Sequence, residues 1–172
     1  MSKKSLKLAI ALLVLAAIFK IPVAYAGEPR LMATYGDWEA YVFTENGHKV
    51  CYMSSQPKKK QGNYTKRGEP FALITHRPAN NTRDVFSYIT GYTYKSESKA
   101  TVNIDDQEFA LFTQDDTAWA PSADIDKKLA QAIRNGKEMV ITGTSSRGTD
   151  TKDTISLKGS GKAYEKISEE CR

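Results

Sequence analysis

The chain has 172 residues, a formal net charge of +5 at pH 7 and a hydrophobic content of 40%. It contains no internal repeat and no low-complexity linker, which excludes repeat arrays and long disordered spacers. The length fits one ordinary domain with a real hydrophobic core.

Residues 1–26 have the layout of a secretory signal peptide. Lysines precede an apolar run from Leu8 to Phe19, and Ala24-Tyr25-Ala26 forms a small-x-small cleavage site. The run is about a dozen residues long and Lys20 follows it, whereas a helix that spans a bilayer needs roughly 20 apolar residues. This argues against the alternative, an uncleaved membrane anchor. We predict cleavage after Ala26 and export to the periplasm or the cell surface.

The positive charge of the chain is concentrated in this leader. Residues 1–26 hold four lysines and no acid, so their removal lowers the net charge from +5 to +1. A nucleic-acid-binding protein needs a basic face on its folded domain. We therefore expect no nucleic-acid partner, and a single mature domain that spans residues 27–172.

Two cysteines, Cys51 and Cys171, remain in the mature chain. In an oxidising compartment such a pair is typically joined in a disulfide. The bond would close a loop of about 120 residues, worth on the order of 4–5 kcal/mol if chain entropy alone counts. The alternative is two free thiols, one of them reactive.

Alternating apolar residues predict strands along most of the mature chain. Residues 27–32 are an extended lead-in, and Asn46-Gly47 predicts a hairpin between strands at 38–43 and 49–55. Asp105-Asp106 marks a second hairpin, and Gly91 is interpreted as a bulge. Further strands are predicted at 71–76, 84–90, 92–95, 100–104, 108–112, 117–120, 138–143 and 151–157.

One segment, 124–134, has a helical period instead, because Ile125, Leu129 and Ile133 recur on one face. Ser122 or Asp124 would cap its start and Gly136 would end it. A short terminal helix is predicted at 162–170. The predicted class is therefore mainly β, a sandwich or barrel with one or two short helices.

The segment 56–68 is polar and is interpreted as a long exposed loop. We regard it as the best candidate binding site, a basic loop with one aromatic that would touch anionic headgroups, acidic glycans or a protein partner. The alternative is a loop kept polar only for solubility. The candidate residues are Lys58, Lys59, Lys60, Tyr64, Lys66 and Arg67.

No catalytic set is visible in the sequence. His48 and His76 are the only histidines, no Gly-x-Ser-x-Gly elbow accompanies them, and we interpret both as surface or edge residues. Asp105-Asp106 and Asp115-Asp116 are typical of turns and lack calcium-loop spacing. We expect no metal, no cofactor and no enzymatic activity. The aromatic residues at strand spacing are predicted to fill the core: Trp38, Tyr41, Phe43, Tyr52, Phe71, Phe86, Tyr88, Phe109 and Phe112.

Several short segments, taken in order, resemble the invasion-associated locus B family of exported bacterial proteins. They are Gly36-Asp37-Trp38, Cys51-Tyr52, Trp119-Ala120, the run Gly143-Thr144-Ser145-Ser146-Arg147-Gly148, Ser156-Leu157-Lys158-Gly159 and the final Cys171. The resemblance implies an immunoglobulin-like β-sandwich, export, and a disulfide between the first strands and the C-terminus.

The same resemblance supplies no agreed enzymatic activity, ligand or catalytic residue. Members near the name-giving protein are linked to invasion of host cells, erythrocytes in particular. We therefore expect an exported protein that binds a protein or cell-surface component and contacts the envelope peripherally. The alternatives are an envelope-maintenance or stress protein without a host target and a hydrolase.

Overall fold

The computed structural model describes residues 27–172, so the predicted signal peptide lies outside the described residues. This part of the chain contains eleven strands, two α-helices and a short 3-10 helix at Pro78–Asn80, and the prediction of a mainly β fold with one or two short helices is confirmed. None of its helices is long and apolar enough to cross a membrane. The elements are β1 Arg30–Tyr35, β2 Trp38–Glu45, β3 His48–Ser55, β4 Lys59–Gly62, β5 Phe71–Arg77, β6 Thr82–Ile89, β7 Lys99–Ile104, β8 Gln107–Gln114, β9 Thr117–Trp119, α1 Ala123–Asn135, β10 Glu138–Thr144, β11 Asp150–Ser156 and α2 Ser160–Glu170.

All eleven strands belong to one antiparallel sheet with the order β1-β2-β3-β5-β6-β9-β8-β7-β10-β11-β4. Strands far apart in this order nevertheless touch. The indole Nε1–H of Trp38 on β2 donates to the carbonyl of Ser156 on β11 at 2.9 Å, and the Tyr88 hydroxyl on β6 donates to Asp153 on β11 at 2.6 Å. The sheet is therefore strongly curved, and strands that are distant in its order lie close together in space.

One hydrophobic core fills the space between the elements. Both helices contribute to it, through Leu129 and Ile133 of α1 and Ile167 of α2. The predicted aromatic core is right for Trp38, Phe86, Tyr88 and Phe109, which are all buried. It is wrong for Phe112, which is 46% exposed because it lies on the outer face of β8. It is also wrong for four aromatics that are only half-buried and lie outside the core: Tyr41, Phe43, Tyr52 and Phe71.

Both predicted hairpins are present, and their turns show why. Asn46 and Gly47 have φ of 52° and 79°, the left-handed conformation that a tight two-residue hairpin requires and that Asn-Gly accepts readily. Asp105, at φ 50°, starts the turn between β7 and β8 in the same way. The acidic pair Asp115-Asp116 forms a third such turn, between β8 and β9.

Local residues set the ends of α1, and a disulfide holds the end of α2. Ser122 caps α1, with its hydroxyl accepting from the N–H of Ile125 at 3.4 Å, and Gly136 follows the last turn. At the end of α2, Cys171 forms a disulfide with Cys51 of β3, with 5.9 Å between their Cα atoms. The bond fastens the C-terminal helix to the first hairpin.

The structure corrects three predictions about the strands and the loops beside them. The segment 92–95 is not a strand, and only Tyr94 makes an isolated bridge, to Ser145. Gly91 is not a bulge but a bend at φ 76°, packed against the backbone of Gly68. The predicted loop 56–68 contains a strand, β4, which pairs with the outer side of β11. Lysines on such a short edge strand discourage pairing with another chain, which explains a polar strand without an apolar face.

Candidate functional site

The lysine run of the predicted binding loop is largely neutralised. Lys58 forms an ion pair with Asp37 at 2.7 Å, and Lys60 forms one with Glu69 at 3.0 Å. Within residues 27–172, Lys59 alone of the three makes no ion pair. The run is therefore not the free basic patch that the sequence indicates.

Arg67 departs furthest from the prediction of an exposed binding loop, because its side chain is only 3% exposed. Its guanidinium donates to both carboxylate oxygens of Asp153, at 2.8 and 2.5 Å, and its Nε–H donates to the carbonyl of Thr90 at 2.7 Å. Burial lowers the pKa of Arg67, but the hydrogen bonds and charge of Asp153 outweigh this and raise it. The guanidinium stays charged inside the protein.

Tyrosines surround this buried ion pair. The Tyr88 hydroxyl donates to Asp153, and burial raises the pKa of Tyr88, so the hydroxyl keeps its proton. The rings of Tyr92 and Tyr64 lie 5.1 and 5.5 Å from the guanidinium carbon of Arg67, within the range of a cation–π contact. The Arg67 side chain is thus fixed in position from several sides.

A cavity of about 500 Å³ lies over this network. Three segments line it: 63–68 before β5, 91–93 after β6 and the turn between β10 and β11. Its lining includes three cations, Lys66, Arg67 and Arg147, and no carboxylate. The cavity is an electropositive recess with a fixed arginine in its wall.

Two glycines bring the first two segments together. The N–H of Gly68 donates to the carbonyl of Gly91 at 2.9 Å, and a Cβ on Gly91 would lie 2.3 Å from the carbonyl oxygen of Gly68. Only glycine permits this approach, which places Arg67 beside Tyr92. The third segment is a tight turn in which the Ser145 hydroxyl accepts from the N–H of Thr149 at 3.1 Å.

Of the predicted site residues, Tyr64, Lys66 and Arg67 line the cavity, whereas Lys58, Lys59 and Lys60 do not. The sequence analysis did not assign three further residues to this site: Arg147 and Tyr92, which line the cavity, and Asp153, which pairs with Arg67. One signal existed for Asp153: it shares strand parity with Ile155, which is fully buried. An acid on the buried face of a strand needs a partner inside the protein.

His76 forms a second polar cluster, and the expectation of a surface or edge position is wrong for it because its side chain is fully buried. Its Nδ1 accepts from the backbone N–H of Asp84 at 3.0 Å, so the proton of the neutral ring is on Nε2, which donates to Ser168 Oγ at 3.1 Å. Burial, with a smaller contribution from Arg83, lowers the pKa of His76. The imidazole is neutral at pH 7. His48 is exposed, as expected.

Ser168, His76 and Asp84 lie in the order of a hydrolytic triad but lack its chemistry. A general base must accept the serine proton at Nε2, and here Nε2 already carries a proton. Ser168 is inside α2, where backbone N–H groups are used by the helix and do not form an oxyanion hole. The cluster ties α2 to β5 and β6.

Asp126 of α1 is a third buried polar residue, 8% exposed. Its carboxylate accepts from the backbone N–H of Phe86 at 2.8 Å, and burial raises its pKa to about 6. Nowhere in residues 27–172 do three His, Cys, Asp or Glu side chains come together in a way that would hold a metal ion.

The comparisons with known proteins give one match. The family model described as "Invasion associated locus B (IalB) protein" matches residues 38–168. Comparisons with curated proteins and with solved structures gave no match. The matched segment starts at β2 and ends inside α2, so it includes most of the sheet and all three segments of the cavity. The chain therefore belongs to the invasion-associated locus B family.

Proposed function

We propose that this chain is an exported, non-enzymatic envelope protein that acts by binding, with the cavity beside Arg67 as its binding site. Its place is the periplasm or the cell surface, after cleavage at Ala26. Family membership, the leader sequence and the Cys51–Cys171 disulfide support this proposal. The family's description also favours a role in contact with, or invasion of, host cells.

The buried Arg67–Asp153 pair is the observation that carries the proposal. Both side chains are at most 3% exposed, and removing two charges from water costs about as much as their attraction returns. A pair of apolar residues would serve folding as well. The pair is instead accompanied by a cavity, two tyrosine rings and two exposed cations, which together offer a polar ligand charged and aromatic contacts.

Blocking the cavity tests this proposal without any assumption about the ligand. Ser146 is exposed and lines the cavity, so we expect Ser146→Trp to fill the cavity without disturbing the core. The matched control is Ser96→Trp, at an exposed turn outside the cavity. In a deletion strain, we expect wild type and the control to restore host-cell association and Ser146→Trp to fail at equal export levels. Equal restoration by all three would contradict the proposal.

The same strains separate the two biological roles. A deletion that impairs host-cell association but not growth or envelope integrity in pure culture supports a host-directed role. A deletion that weakens the envelope in pure culture overturns that role in favour of envelope maintenance.

A covalent serine probe tests the proposal that the protein is not a hydrolase. Because Nε2 of His76 is protonated, we expect no fluorophosphonate label at Ser168. Labelling of Ser168 that disappears in His76→Gln would overturn the non-enzymatic assignment.

A further inference from the structure

We propose that the cavity beside Arg67 recognises an oxyanion, a carboxylate or phosphate group carried by a small polar ligand. The inference rests on the proposed function, in which this cavity is the binding site. It adds the chemical class of the ligand, which nothing in the family description states.

The charge of the lining supports an anion. Asp153 neutralises Arg67, so the uncompensated charge comes from Lys66 and Arg147, both exposed and both free of ion pairs within the described residues. No carboxylate lines the cavity to offset them. The two cations lie on different segments, one before β5 and one between β10 and β11, so an anion between them would contact both sides of the recess.

Arg67 itself keeps donors for a ligand. A guanidinium has five N–H groups, and three of them are used by Asp153 and Thr90. The Tyr64 hydroxyl is a further hydrogen-bond partner of the guanidinium, so at most two N–H groups are left on a side chain that lines the cavity and is 3% exposed. Hydrogen bonds from a charged donor to an oxyanion are roughly twice as strong as those between neutral groups, and low exposure to water strengthens them further.

The donors are also held in place before a ligand arrives. Asp153 is fixed by the Tyr88 hydroxyl, and Tyr92 is fixed through its own hydroxyl, which lies 2.7 Å from Thr151 Oγ1. Pre-ordered donors reduce the entropy that binding would otherwise cost. The hydroxyls of Thr65 and Ser146 add neutral donors at the cavity, which suit a ligand with polar groups besides its anion.

The size of the cavity selects a small molecule. A volume of about 500 Å³ is typical of pockets that enclose small ligands. A monosaccharide with one acidic group would be accommodated, whereas only part of a larger chain would fit.

Isothermal titration calorimetry of the purified protein tests the inference with three probes: inorganic phosphate, glucuronate and glucose. We expect phosphate or glucuronate to bind, glucose not to bind, and the affinity to fall as salt is added. Phosphate alone would assign a phosphate ligand, and glucuronate alone a carboxylated sugar. The double variant Lys66→Ala/Arg147→Gln should weaken anion binding at least tenfold.

The control is Lys127→Ala/Lys162→Ala, which removes two exposed helix charges outside the cavity. It should leave the affinity within about twofold of wild type, since screened charges far from a site contribute little. An equal loss in both double variants would show a general charge effect and overturn the inference. Binding of glucose as tight as that of glucuronate would overturn it too, as would no binding of either anion.

These outcomes are distinct from failure of the proposed function. If Ser146→Trp abolishes biological activity while no anion binds, the binding site stands and the ligand class is wrong. If Ser146→Trp leaves activity unchanged, the cavity is not the site at all.

Discussion

Two buried acidic residues, Asp153 and Asp126, differ in whether a cation compensates their charge. Asp153 faces a guanidinium that compensates its charge. Asp126 has only the N–H of Phe86 as a partner, and burial raises its pKa from 3.8 to about 6. The carboxylate of Asp126 is therefore destabilising near neutral pH, whereas Asp153 is destabilising only if its partner is removed.

Asp126→Asn should raise stability at pH 7. The pKa of Asp126 is higher in the folded than in the unfolded protein, so ionisation of this carboxyl opposes folding. The protein is therefore most stable with respect to this group below about pH 4, where the carboxyl is protonated in both states, and it loses that stability as the pH rises through 6. An amide oxygen still accepts from Phe86 and never ionises, so we expect a gain of about 2–3 kcal/mol at pH 7 and little change at pH 4. Urea unfolding at both pH values measures this. A variant less stable than wild type at pH 7 would refute the assignment.

Asp153→Asn should destabilise the protein by about 3–5 kcal/mol, because it leaves the buried Arg67 charge without a carboxylate. The double variant Arg67→Met/Asp153→Leu removes both charges and should recover most of that loss. Urea unfolding of the two variants gives the comparison. If the single and double variants were equally unstable, the loss would come from packing and not from the uncompensated charge.

Between elements, Gly159 permits a close contact that fixes where α2 begins. It lies at φ 94°, and a Cβ there would be 1.8 Å from the carbonyl oxygen of Tyr35 at the end of β1. The neighbouring N–H of Asp37 donates to the carbonyl of Lys158 at 2.9 Å. The first turn of the sheet and the start of the last helix are therefore joined through backbone atoms.

Gly159→Ala should cost about 3 kcal/mol or more, since two backbone segments must separate to admit the methyl group. Gly148→Ala is the matched control: it has φ 80° but nothing within 4 Å of the added Cβ. It should cost only the conformational strain, about 1–2 kcal/mol. Thermal or urea unfolding compares them, and equal losses would show that the contact with Tyr35 does not matter.

Elements with local signals were predictable, and those that depend on distant partners were not. The Asn46-Gly47 turn and the apolar stripe of α1 follow from neighbouring residues alone. The strand β4 has no apolar face that its sequence could reveal. It forms through backbone hydrogen bonds to the outer side of β11, about 90 residues later in the chain.

The cavity was only partly predictable for the same reason. Tyr64, Lys66 and Arg67 are close in sequence, and their basic and aromatic character indicates binding. Their partners come from segments about 25 and 80 residues away, which only the folded sheet brings together. The sequence also does not distinguish Arg67, which is buried, from Lys66, which is exposed.

In the complete molecule, the disulfide is linked to the proposed export of the chain. The Cys51–Cys171 bond spans 120 residues and joins β3 to the end of α2. Disulfides form and persist mainly in oxidising compartments, and we propose that residues 1–26 direct the chain to one by export.

The intact mass of the protein recovered from the cell envelope tests this claim most directly. We expect a chain that begins at Gly27 and weighs two hydrogens less than its reduced form. A mass that includes residues 1–26, or one that shows two free thiols, would contradict it.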